Sequence, residues 1–81
     1  MKKQLQQNHF QTSDLSLCAT LCCYGYQIEK VNKDNLSRAT FSIKTNKELN
    51  ETILKYWKHE LKVDPLNYFN YLKEIKTRIH S

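Results

Sequence analysis

The stretch LSLCATLCCYGYQIEK, residues 15–30, holds all three cysteines, and thiols there are open to metal ligation, nucleophilic attack or disulfide exchange. Cys18 and Cys22 stand at i and i+4, so on a helix both reach one ion. A zinc site takes four ligands, however, and the three histidines, His9, His59 and His80, lie scattered without partner spacing. Cys22 and Cys23, adjacent on a helix, point apart and do not bridge, and an intracellular thiol stays reduced. Cys18 and Cys22 therefore read as small core residues, and neither a metal nor a cofactor is expected. Cys23 shares the opposite stripe with Ser16 and Thr20, where it is the thiol most open to reagents. Catalysis finds no better footing. His59 is followed by Glu60, but neighbouring helical residues diverge, and no Ser/Cys-His-Asp order, paired carboxylates or glycine-rich phosphate loop can be assembled. The expectation is a chain that is not an enzyme.

Binding chemistry is better represented. Phe69, Lys73, Lys76 and His80 recur at i, i+4, i+7 and i+11, a basic stripe with an aromatic at one end. Such lysines neutralise phosphates, while Phe69 or nearby Tyr71 offers a ring to an unpaired base. The competing reading lays the lysine methylenes over the apolar core and leaves the ammonium groups in water. Arg38 and Lys44, at the two ends of an alternating segment, define a second basic surface. Tyr56, Trp57 and Tyr68 either plug a gap between helices or anchor a protein partner.

The elements that position these residues follow from caps and periodicity. Thr12-Ser13-Asp14 offers an N-cap and Gly25 a left-handed stop, giving a helix from about Asp14 to Tyr24. Tyr26–Val31 reads as a strand. Arg38–Lys44 alternates strictly, with Ala39, Phe41 and Ile43 inward and Arg38, Thr40, Ser42 and Lys44 outward. The polar segment 32–37 joins the two as a hairpin loop. His9-Phe10-Gln11 is placed as a short third strand on a free sheet edge. Thr45 and Glu48 form a capping-box pattern before a second helix whose apolar face carries Leu49, Ile53, Tyr56 and Trp57. Asp64 as N-cap and Pro65 at the first helical position start a third, with Tyr68, Leu72, Ile75 and Ile79 as its buried stripe.

The segments TSDLSLCATLCCYGYQIEKV, RATFSIK and ILKYWKHELKVDPLNYFNYLKEIKTRI, in that order, resemble a family of small uncharacterised domains carried by prokaryotic mobile elements and phages. Ser13-Asp14-Leu15, Gly25-Tyr26, Phe41, Tyr56-Trp57, and Leu72-Lys73 through Lys76 and Arg78 carry the resemblance, which covers the chain from about His9 onward. It implies a setting but no functional residues. The cysteines of the first helix stand where alanine and leucine are expected in relatives, which favours packing over metal binding.

The totals agree with a binding module. At 81 residues one small α+β domain is expected over 9–81, with residues 1–8 a flexible tail, and such a domain has little room for a deep pocket. Its layout is one helix, a small antiparallel sheet, then two consecutive helices on one sheet face. Thirteen basic against eight acidic residues give a net charge of +5, which suits an anionic partner. No apolar run is long enough to span a bilayer, and a cytoplasmic protein is expected. The leading expectation is a nucleic-acid-binding accessory protein. The alternative is a protein-binding adaptor or inhibitor, homodimeric through a free strand edge.

Overall fold

The computed structural model describes residues 9–35 and 38–80. Their order is β1 (His9–Thr12), α1 (Leu15–Cys23), β2 (Ile28–Asn35), β3 (Arg38–Lys44), α2 (Leu49–Trp57) and α3 (Pro65–His80). This is the α+β arrangement expected from the sequence, and the expected tail, 1–8, lies outside the described residues.

Local capping explains where α1 begins and ends. Asp14 is extended, and its Oδ1 accepts the Leu17 N–H at 3.1 Å, satisfying one of the amides that a helix start leaves without a partner. At the other end the Gly25 N–H donates to Cys22 O at 3.0 Å and the Tyr26 N–H to Leu21 O at 3.1 Å. That reciprocal pair needs a left-handed residue, and Gly25, at φ 96°, supplies it.

The sheet is antiparallel in the order β1-β3-β2, so the short strand expected at His9 does form, and β3 becomes central. Strand β2 runs four residues beyond the expected Val31, to Asn35, because the polar residues after Val31 continue the ladder opposite Thr40 and Arg38. A register shift between Ile28 and Lys30 inserts Glu29 as a bulge. Phe41 and Ile43 face inward and join Leu17, Cys18, Ala19, Leu21, Leu49 and Ile75 in one buried cluster.

The helix α1 packs along α3 and shares the buried cluster with Phe41 and Ile43 of the sheet, and it is buried from Leu17 to Cys22. Thr20, expected on an exposed stripe, is therefore buried, and its hydroxyl donates to Ser16 O at 2.8 Å. A polar residue is tolerated there because its donor is satisfied within the helix.

The capping box expected at Thr45 and Glu48 does not form. Asn46 intervenes: its Oδ1 accepts the Glu48 N–H at 3.0 Å and the Tyr26 hydroxyl at 3.1 Å, making a turn tethered to β2's approach. Glu48 becomes the N-cap without a side-chain bond, and α2 starts at Leu49. α2 ends on the same pattern as α1, with the His59 N–H on Tyr56 O at 3.1 Å and the Glu60 N–H on Lys55 O at 2.9 Å. Here the left-handed position is His59, at φ 64°. A β-carbon in that region costs about 1–2 kcal/mol. Part of this is offset by glycine's greater freedom when unfolded. His59→Gly is therefore expected to stabilise the fold by about 0.5–1 kcal/mol, read as a thermal midpoint a few degrees higher. An unchanged or lower midpoint would show that His59 makes a compensating contact.

Asp64 caps α3 as expected, its Oδ2 accepting the Asn67 N–H at 2.8 Å, with Pro65 in the first turn. Ile75 is fully buried against α1, and Tyr68, Leu72 and Ile79 pack around it.

Candidate functional site

The candidate basic residues lie on two surfaces, the sheet and α3. Cross-strand partners share a sheet face, so the pairs Lys30–Ser42, Asn32–Thr40 and His9–Lys44 put Lys30 on the outer face with Arg38 and Lys44. Arg38 and Lys44 are both exposed, as expected. Ser42, expected to be open, is only 8% exposed, because β3 is central and Gln11 lies across it, Nε2 donating to Ser42 Oγ at 3.4 Å. His9 is not alone either: its Nε2 meets Glu29 Oε1 at 2.8 Å, which places a carboxylate on this face. The outer face thus mixes charges, and none of the outward residues in these cross-strand pairs is aromatic.

The other surface is the solvent side of α3. Phe69, Lys73, Lys76 and His80 are all exposed, on the side of the helix away from Ile75. Phe69 shows 53% of its surface, and Lys73 Nζ stands 5.3 Å from its ring centroid. That contact draws the ammonium to the ring face while leaving both groups at the surface.

The aromatic trio divides. Tyr56 and Tyr68 direct their hydroxyls at the same atom, donating to Ser16 Oγ at 2.8 and 3.2 Å, and so tie α2 and α3 to α1. They are structural. Trp57, expected on the apolar face of α2, is instead 58% exposed, its ring edge-on to Tyr56 at 4.9 Å. Leu54, three residues earlier, is exposed with it. Tyr24 pins the link between α2 and α3, its hydroxyl donating to Lys62 O at 2.7 Å and accepting the Lys62 N–H at 3.1 Å.

Between the turn after α1, the start of β2 and one flank of α3 lies a cleft of about 380 Å³, which sequence reasoning missed. Tyr26, Tyr71, Glu74 and Arg78 line it above Cys22 and Ile75. The only trace in the sequence is the i, i+4 pair of Glu74 and Arg78, and nothing in their spacing says that Tyr26 stands opposite.

The thiols behave as core. The Cys18 thiol is pushed far above its usual range by its hydrogen bond to Cys22 and then by burial. Cys23, partly exposed, is raised more simply, by burial and then by the neighbouring Cys22 and Asp64. No cluster of three metal-ligating side chains occurs among the described residues. A small alkylating reagent at mildly alkaline pH is expected to modify one thiol of the folded protein, slowly, and all three once it is unfolded. Rapid loss of all three in the folded state would contradict the packing.

No helix among the described residues is long and apolar enough to cross a membrane. No curated protein and no solved structure matches the chain. A family model does, over residues 7–81, which takes in every described strand and helix. The chain belongs to that family, the domain of unknown function DUF5659.

Proposed function

We propose that this domain is a non-enzymatic binding module that holds single-stranded nucleic acid along the exposed side of α3, as a cytoplasmic accessory protein of a mobile element or phage. One observation carries the reading: Phe69, Lys73 and Lys76 share the solvent side of one helix, with the ring more than half exposed and an ammonium group against it. The lysines take phosphates and the ring takes an unstacked base, a combination that works on any sequence. The net charge of +5 adds a general attraction. Arg38 and Lys44 form the weaker candidate, since their face carries Glu29 and its paired residues offer no ring for stacking. The resemblance to small domains of mobile elements supports the setting.

A protein partner is the second reading, favoured by the exposed pair Leu54 and Trp57. Binding of labelled single-stranded and duplex DNA and RNA at two salt concentrations separates the two. Salt-steep binding that prefers single strands, and that is lost in Lys73→Glu/Lys76→Glu but kept in Arg38→Glu/Lys44→Glu, is the expected result. Absence of binding even at low salt overturns the nucleic-acid reading.

A further inference from the structure

The outer flank of α2 carries an apolar pair with charges of both signs beside it. Leu49, Ile53 and Tyr56 turn inward to the core, while Leu54 and Trp57, three residues apart, are each 58% exposed. The indole stands edge-on to Tyr56 at 4.9 Å, and Tyr56 is itself held by its bond to Ser16, so the exposed ring has a fixed backing. At about 100° per residue, Glu51 and Lys58 lie on the side of Leu54 away from Trp57. Both are exposed, and neither is held in a salt bridge among the described residues, so Glu51 does not close on Lys55 four residues later.

These positions are self-complementary. Glu51 lies three residues before Leu54 and Lys58 four after it, so a two-fold axis beside Leu54 sets Glu51 of one antiparallel copy level with Lys58 of the other, twice over. Both charge pairs then fall on one side of the contact, the two indoles fall on the opposite side, and the two Leu54 side chains meet between them. Lys55 lies farther round the helix, outside the contact. We infer that a second copy of this chain docks here, α2 against α2, as an antiparallel two-fold dimer. A partner of a single charge sign leaves Glu51 or Lys58 facing its like, whereas a second copy answers both. The strand edges are poorer candidates: β2, the longer one, is broken by the bulge at Glu29 and carries exposed Lys30, features that hinder strand addition. With two large apolar side chains from each copy the contact is at the small end of the range, below about 1,200 Å² in total, so a weak dimer is expected.

The inference goes beyond the nucleic-acid reading and does not rest on it. Sedimentation equilibrium of the purified chain, free of nucleic acid, tests it over a range of roughly 10 µM to 1 mM. The expected result is a monomer–dimer equilibrium in which the emission of Trp57, the only tryptophan, moves to shorter wavelength as the dimer forms. Leu54→Glu is expected to leave a monomer. Glu51→Lys and Lys58→Glu each set like charges opposite one another, and each is expected to weaken the dimer by about tenfold or more. Lys58→Glu also lowers the net charge of +5, so general repulsion does not account for its loss. Mixed together, the two single variants are complementary at both pairs and are expected to form a heterodimer, which also shows that each of them is folded. A chain that stays monomeric throughout overturns the second-copy assignment and leaves Leu54 and Trp57 to a different protein. A dimer indifferent to all three substitutions, or a mixture no heavier than its components, puts the contact elsewhere and overturns it equally. Lys73→Glu/Lys76→Glu is expected to change oligonucleotide binding without changing the mass, so the α3 reading stands or falls separately.

Discussion

Phe41→Ala is expected to cost the protein a large share of its stability, about 3–5 kcal/mol. Phe41 is the largest fully buried side chain, at the centre of β3 and in the cluster that joins the sheet to Leu17, Cys18 and Leu21 of α1. Truncating a buried phenylalanine costs about 3–5 kcal/mol, from lost transfer energy and from the cavity that the surroundings fail to fill. The whole stability of a chain this size is on the order of 4–12 kcal/mol. One residue therefore carries a large share of the margin. The cavity cannot collapse cheaply, because β3 is bonded on both edges by β1 and β2 and α1 is packed against α3. Chemical denaturation followed by circular dichroism checks this. A loss below about 1.5 kcal/mol would mean that the sheet and α1 are loosely packed.

The same residue shows what was legible without the fold. Strict alternation from Arg38 to Lys44 names Phe41 and Ile43 as inward because a pleated strand has a period of two. Asp14, Gly25, Asp64 and Pro65 likewise announce helix ends, since each supplies a local bond or backbone angle that the end requires. Misreadings arose wherever a distant group decided the matter. Thr45 and Glu48 have the spacing of a capping box, but Tyr26, twenty residues away from Asn46, stabilises a competing turn. Thr20 reads as surface by helical angle, yet α1 is enclosed on that side too. Trp57 reads as core by hydrophobicity, yet α2 turns it to solvent. The α3 stripe was legible because it lies on one helix. The cleft was not, because residues near 22–28 and 71–78 meet only through packing.

Charge reversal at Lys73 and Lys76 is the second large effect, on binding rather than on stability. Both side chains are exposed, so the fold has little stake in their charge beyond the contact of Lys73 with Phe69. A surface cation–π contact is worth only about 0.5–1 kcal/mol, and its loss leaves Ile75, Tyr68 and Leu72 in place. Affinity for a single strand responds far more. Two phosphate contacts become two repulsions, a loss on the order of a hundredfold at low salt. The salt slope identifies the cause: for single strands each phosphate neutralised contributes about 0.7 to the slope of log K against log salt, so the double variant is expected to be shallower by about 1.4. Phe69→Ala removes the ring but no charge, so it is expected to weaken binding by about 1–3 kcal/mol while keeping the wild-type slope. A change in slope without a change in the preference for single strands would assign the lysines to general attraction and take the stacking role away from Phe69. A loss in both variants, one through the slope and one at constant slope, is the signature of a strand whose phosphates and bases are held by the same helix.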